Sequence, residues 1–232
     1  MTFSTHLPTH SPTMSSYDVV IVGGAMYGSS VSWFLADNPD FNGSILVVER
    51  DPSYMACSTV HTNSCIRQQF SREINVRISQ FGADFVKNLR QYMGEDVRVP
   101  NLPIHSYGYL YLADSEAFSS VLKESQQVQA ACGAGTKILS AQDIKHDYPF
   151  YNVKDIVSGS HNRIDEGYFD GGTLFEWWRR SAKEKGVEFV GNEVVSMQRN
   201  NQGSRVESVT LKSGEVVSCG TIINASGPRA VL

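Results

Sequence analysis

The sequence predicts an α/β fold: a parallel sheet wound through a βαβ crossover, an antiparallel β-meander late in the chain, and a partial α+β domain inserted between them. Three observations carry this. Tyr17–Val22 (YDVVIV) and Ser44–Glu49 (SILVVE) are short, continuously apolar and β-branched, as strands buried on both faces are. A glycine-rich turn and a helical segment separate them. From residue 187 to 220 short β runs alternate with the turn sequences Asn200–Gly203 and Ser213-Gly214.

The elements follow in order. Residues 1–16 are rich in Thr, Ser, Pro and His, without an apolar stretch or an arginine. They are no secretory signal and read as a disordered tail. After the first strand comes Gly23-Gly24-Ala25-Met26-Tyr27-Gly28, then SSVSWFLAD, a helix with Val31, Phe34 and Leu35 on one face. Asn38, Pro39, Asn42 and Gly43 break it before the second strand. Strand, turn, helix and strand make one βαβ unit. Residues 51–69 read as a polar loop. Phe70, Ile74, Ile78, Phe81, Phe85 and Leu89 recur at three or four, the stripe of an amphipathic helix ending near Gly94.

Pro100 and Pro103 mark a loop, and Tyr107–Leu112 (YGYLYL) reads as a strand. Asp114 is the predicted cap of a helix running to about Cys132, which Gly133 and Gly135 end. Ser140 and Asp143 have capping-box spacing. Ile156–His161 reads as an edge strand. Thr173–Lys185 reads as a helix closed by Gly186. VEFV, NEVVSM, RVESVTL and EVVSC form the meander, and TIIN (221–224) is a last buried strand. The predicted organisation is a tail (1–16), a discontinuous dinucleotide domain (17–92 and 171–232) and the inserted domain (93–170).

Bulk properties narrow the class. A composition of 41% hydrophobic and 19% charged residues is that of a globular protein. A net charge of −4 leaves no electrostatic footprint for nucleic acid. No run approaches the ~20 apolar residues of a membrane span. Cys57, Cys65, Cys132 and Cys219 form no C-x-x-C pair and read as reduced thiols, which points to a cytoplasmic protein.

The first turn carries the chemistry. Gly23 allows the tight bend, Ala25 stands where a glycine usually lets the backbone approach a pyrophosphate, and Gly28 lets helix and strand pack closely. The amides and dipole at the helix start favour an anion. Glu49 ends the second strand, 21 residues beyond Gly28, where its carboxylate can accept ribose hydroxyls. This is a Rossmann-like dinucleotide site. The turn and Glu49 alone do not choose between FAD and NAD.

The chain from Tyr17 to Leu232 resembles the D-amino-acid-oxidase-like superfamily of FAD-dependent oxidoreductases, nearest the sarcosine and glycine oxidase branch. The resemblance rests on DVVIVGGAMYGSS (18–30), LVVERDPSY (46–54), STVHTNSCIRQQF (58–70) and TIINASGP (221–228). It implies FAD as cofactor and oxidation of a carbon–nitrogen bond of an amino acid or N-methylated amine. It implies cofactor contacts from Gly23, Gly24, Ala25 and Gly28, from Glu49 with Arg50, and from Ser58 and Thr59. Asn63, Ser64 and Cys65 would stand beside the flavin ring, Val194 or Val195 at the adenine, and Ala225, Ser226 and Gly227 along the dinucleotide. Arg67 matches an arginine that holds the substrate carboxylate, a role suited to a guanidinium fork. A surface or phosphate-facing arginine is the competing reading. His61 is the candidate proton acceptor, against a loop histidine with no catalytic duty.

The superfamily continues beyond the Asn-Ala-Ser-Gly-Pro strand, so the resemblance predicts truncation at the C-terminus. Two alternatives follow: an inactive dinucleotide-binding fragment, or an NAD-dependent dehydrogenase. Cys57, His61 and Cys65 recur at intervals of four but lack a fourth ligand, so no metal is predicted. Trp177 and Trp178 read as helix packing, and Asp165-Glu166 as a turn.

Overall fold

The computed structural model describes residues 10–230. Its elements are β1 (Ser16–Val22), α1 (Met26–Asp37), β2 (Ile45–Glu49), β3 (Cys65–Ile66), α2 (Glu73–Lys87), α3 (Leu89–Tyr92), β4 (Tyr109–Ala113), α4 (Glu116–Ala131), β5 (Lys137–Ser140), α5 (Ala141–Asp147), β6 (Ser158–Asn162), β7 (Gly167–Tyr168), α6 (Gly171–Glu184), β8 (Glu188–Gly191), β9 (Val194–Arg199), β10 (Val206–Leu211), β11 (Val216–Asn224) and a closing 3-10 turn, Gly227–Arg229. They form two compact units. The first comprises residues up to Thr62 and from Gly171 onward, the second Asn63–Asp170.

The first unit is α/β. Its six-stranded sheet runs β8-β2-β1-β11-β10-β9. β1 lies inside it, parallel to both β2 and β11, and Val20 and Ile21 are fully buried. That is the fate of a strand without polar alternation. The expected separate strands at 215–219 and 221–224 are one continuous strand, β11. Ser218 is its switch point, paired with Ser16 of β1 on one side and Ser208 of β10 on the other. VEFV, expected in the meander, instead supplies β8, parallel to β2. The short β8–β9 connection lets the meander fold back. Lys212 N donates to Glu193 O (2.8 Å), and Asn192 Nδ2 to Ser213 Oγ (2.6 Å). Tyr17, Leu46, Val48, Val190, Val209 and Val217 fill the core between.

Two further expectations change in this unit. Phe34 is 41% exposed; the buried face of α1 is Gly28, Ser29, Ser32 and Trp33. Small residues let the helix approach closely, and their hydroxyls are satisfied by main chain: Ser29 Oγ donates to Gly24 O and Ser32 Oγ to Ser29 O. Of the expected disordered tail, residues 1–9 lie outside the described residues, whereas 10–15 run beside edge strand β8. His10 N donates to Gly191 O (3.1 Å) and Thr13 N to the Glu188 carboxylate (2.7 Å). An edge strand has free main-chain groups that such a segment can cover.

The second unit contains an antiparallel sheet of order β4-β6-β5, so β6 is central rather than an edge strand. Ser115, not Asp114, caps α4, its hydroxyl accepting from Phe118 N. The capping box at Ser140 and Asp143 is present. α2 belongs here, which moves the domain boundary from the expected 92/93 to Thr62/Asn63. Hydrogen bonds explain the move: Gln129 Nε2 donates to Phe70 O (3.1 Å) and Gln80 Nε2 to Cys132 O (3.0 Å), tying α2 to the end of α4. The predicted stripe of α2 is split. Phe85 is buried, but Ile74, Ile78 and Phe81 are at least half exposed, and Val76, Ala83 and Val86 are buried instead. The helix carries two apolar stripes, and periodicity alone does not say which one is covered.

Candidate functional site

In the first unit β1 ends in a bend that only glycine fits. Gly23 has φ +96°, and a Cβ there would lie 2.6 Å from Ala225 O. A Cβ on Gly28 would lie 1.8 Å from Gly23 O. Main-chain bonds lock the arrangement: Gly23 N donates to Val48 O and Ala225 N to Val22 O, both at 2.8 Å. The Ala225–Gly227 loop is thereby laid against the turn. Ser226 is fixed in it by its hydroxyl, which donates to Asn224 Oδ1 (2.6 Å).

The start of α1 is left open to a ligand. Its N-cap is Ala25, which supplies no side-chain cap, and the first turn carries no acidic residue. Met26 N donates to Thr59 Oγ1 (3.3 Å), which brings the 51–62 loop to the helix start. Glu49 points into the same turn: Gly24 N donates to Oε2 and Asp51 N to Oε1, both at 2.8 Å. Each carboxylate oxygen has a second lone pair, so the group is held by main chain and can still accept from a sugar hydroxyl.

A neighbour that sequence reasoning missed completes the turn. Tyr54 is buried with φ +59°. A Cβ on Gly24 would lie 3.3 Å from its hydroxyl. Burial, with the Glu49 charge beside it, pushes the Tyr54 hydroxyl up to about 12, so it stays a neutral donor. No local pattern announces a tyrosine in the left-handed region.

The other residues of this unit are placed as follows. Arg50 pairs with Glu193 at 3.8 Å. Asn192 N donates to Glu49 O (3.0 Å), so the chain leaving β8 stays beside Glu49 before entering β9. Val194 is half-buried there and Val195 is exposed. Ser58 is exposed; its carbonyl accepts from His61 N (3.2 Å). His61 is exposed, and its Nε2 lies 3.0 Å from Met55 O, a contact that makes Nε2 the donor and fastens the loop.

The second unit holds the rest. Asn63 is exposed, and Ser64 has φ +50°, with its carbonyl accepting from Phe169 N (3.2 Å). Cys65 pairs with Tyr168 across β3 and β7, and His105 bridges Tyr168. Gly167 is required at this crossing: a Cβ there would lie 1.9 Å from His105 O. Arg67 follows, with its guanidinium carbon 4.9 Å from the Phe70 ring centre and 5.9 Å from that of Tyr109. Arg67 Nε is buried without a hydrogen-bond partner. The Cys65 thiol beside it and then burial push the Tyr109 hydroxyl up to about 12.

Asp165 does lie in a turn, with φ +53° and an ion pair to Lys87 (2.8 Å). Glu166 departs from the turn reading: it is fully buried. Its Oε1 accepts from Gln68 N (2.7 Å) and Asn162 Nδ2 (2.9 Å), and its Oε2 from Gln69 Nε2 (2.9 Å). Burial raises its pKa above the ordinary carboxylate range, partly offset by these hydrogen bonds and by the Arg67 charge. Among the described residues, no group of three or more His, Cys, Asp or Glu could hold a metal ion. No helix there is long and apolar enough to cross a membrane.

The glycine cradle, the uncapped helix start and the inward carboxylate fit the diphosphate and ribose of a dinucleotide. The family model for FAD dependent oxidoreductases matches residues 18–232. The chain belongs to this family. A Xenopus laevis relative, FAD-dependent oxidoreductase domain-containing protein 1, is 32% identical over 97% of the chain and 49% of its own length. A Drosophila melanogaster homolog of that protein is 34% identical over 80% of the chain and 35% of its own length. The chain thus spans half or less of these relatives. Among solved structures, L-proline dehydrogenase from P. horikoshii shares the fold with a TM-score of 0.75 at 22% identity, over 93% of this chain and 54% of that one. Glycine oxidase from Geobacillus kaustophilus does so with 0.71 at 16% identity, over 94% and 57%. The cofactor of the family is FAD.

Proposed function

We propose that the protein oxidises a carbon–nitrogen bond of an amino acid or N-methylated amino acid. FAD, when bound, supplies a two-electron acceptor for the hydride of that bond. The chain's own residues hold the cofactor and the substrate. Gly23, Gly24, Ala25 and Gly28 admit the diphosphate to the amides of α1, and Glu49 takes the ribose. Ser58, Thr59, Asn63, Ser64, Cys65 and Ala225–Gly227 form further cofactor contacts, with Val194 or Val195 at the adenine. Arg67 binds the substrate carboxylate. The observation that supports an acidic substrate is the buried, unpartnered Arg67 Nε held over two aromatic rings. A buried donor without an acceptor costs about 1–3 kcal/mol, a cost that a bound carboxylate removes. His61 enters this reading as a fastening of the 51–62 loop.

The test is anaerobic reduction of the FAD-loaded protein by paired substrates. α-Amino acids and N-methylated amino acids should bleach the flavin; the corresponding amines lacking the carboxylate should do so at least about a hundredfold more slowly, the scale of a lost charge-assisted contact. Equal rates for acid and amine would remove the carboxylate reading. No bleaching by any member of either set would remove the reaction class.

A further inference from the structure

The Glu166 cluster is larger than a turn requires. A fully buried carboxylate is costly, and such groups persist where their partners use them. Here the carboxylate reaches back to the segment that carries Arg67. It binds the main-chain amide of Gln68, the next residue, and the side-chain amide of Gln69. Gln69 is held at three points: its Nε2 also donates to Tyr109 O (2.9 Å), and its Oε1 accepts from Ser160 Oγ (2.6 Å). Gln68 Nε2 donates to Ile164 O (2.9 Å). Asn162 closes the ring, with Nδ2 on Glu166 Oε1 and Oδ1 accepting from Ile164 N. Tyr109, whose carbonyl Gln69 grips, is one of the two rings under the Arg67 guanidinium.

Residues from three distant stretches, 66–70, 109 and 160–166, are therefore locked together, and Arg67 leaves that lock with its Nε unsatisfied. Glu166 accepts three hydrogen bonds from the lock, none of them from Arg67 Nε, which has no hydrogen-bond partner of its own. We propose that Glu166 is the positioning residue for Arg67: through the Gln68 amide and Gln69 it fixes the backbone from which the guanidinium reaches the substrate's acidic group. This rests on the reading of Arg67 as the carboxylate-binding residue.

The test uses the full chain with FAD present and benzoate as the carboxylate probe. The readout is the Nε–H resonance of Arg67, assigned by its disappearance in R67K; benzamide is the neutral control. Benzoate should move that resonance in the native protein. E166Q places a donor amide against the donors of Gln69 and Asn162. It should weaken benzoate binding by roughly tenfold or more, since small misplacements of a binding group have effects of up to about a hundredfold. The benzamide response should stay unchanged. Native benzoate affinity in a folded E166Q protein, with only a lower melting temperature, would make Glu166 a purely structural residue and overturn the proposal while leaving Arg67 its role. An Arg67 resonance that ignores benzoate in the native protein would overturn both. If E166Q does not fold, E166D applies the same criterion, since it keeps the charge but withdraws the carboxylate by one methylene.

Discussion

The glycine turn of the first unit and the Glu166 cluster of the second both fix a short stretch of backbone. They do so by opposite means. The turn works by what is absent: no Cβ at Gly23 or Gly28 and no capping side chain at Ala25 of α1. The cluster works by what is present: a buried carboxylate bonded by the Gln68 main-chain amide and linked to three polar side chains, Gln69, Ser160 and Asn162. The first device has its glycines in one short stretch, residues 23–28, and tolerates almost no added volume. The second is assembled across about a hundred residues and depends on matched donors and acceptors.

The comparison is broken most directly at Gly28. Gly28→Val places a side chain against Gly23 O, main chain that cannot move aside. It should lower the unfolding free energy by more than about 3 kcal/mol, the upper range of single substitutions, and abolish FAD retention. Urea unfolding and flavin absorbance check both. Glu166→Ala strands three donors in a dry site and should cost about 2–4 kcal/mol, read from the urea midpoint. ADP binding by the first unit should persist in it, which separates the two devices. Glu49→Gln loses the charge and sets an amide donor against Gly24 N or Asp51 N; it should weaken FAD binding by about tenfold, or ~1.4 kcal/mol, and lower the melting temperature by less than Glu166→Ala does.

Legibility in the sequence follows the same contrast. The βαβ unit and its glycines were readable because backbone geometry restricts the residue types at each position of the turn. The capping box of α5 was readable for the same reason. Tyr54 and Glu166 were not, because nothing near either residue in the chain announces a left-handed tyrosine or a buried carboxylate. Both are defined by partners far away in sequence. α1 and α2 show an intermediate case. Their helical period was visible, but Phe34, Ile74 and Ile78 face solvent while Ser29, Ser32 and Trp33 of α1 and Val76, Ala83 and Val86 of α2 are covered. The continuity of β11 runs through Gly220, between the two expected runs, which lies against Asp18 O, where a Cβ would be only 2.8 Å away.

Smaller effects sharpen the picture at the sheet edge. Burial raises Glu188, but hydrogen bonds from Thr13 and Tyr17 outweigh it and leave its pKa below the ordinary carboxylate range. The stability this contributes is present above the unfolded-state pKa and lost as the pH falls through the lowered folded value. Thr13→Val should therefore lower the melting temperature at neutral pH, and its gap to the native protein should close on acidification. A gap that is constant with pH would mean the contact is not carried by the Glu188 charge. Smallest of all, Ile78→Ser on the exposed side of α2 should change stability by less than about 0.5 kcal/mol.

The most direct test of the dinucleotide site is FAD titration followed by quenching of flavin fluorescence, with ADP as competitor, in the native chain and in Glu49→Gln. Saturable binding that ADP displaces, and that Glu49→Gln weakens about tenfold, is the expected result. Binding that ADP does not displace, or that Glu49→Gln leaves unchanged, would contradict a diphosphate resting on α1 with its ribose on Glu49.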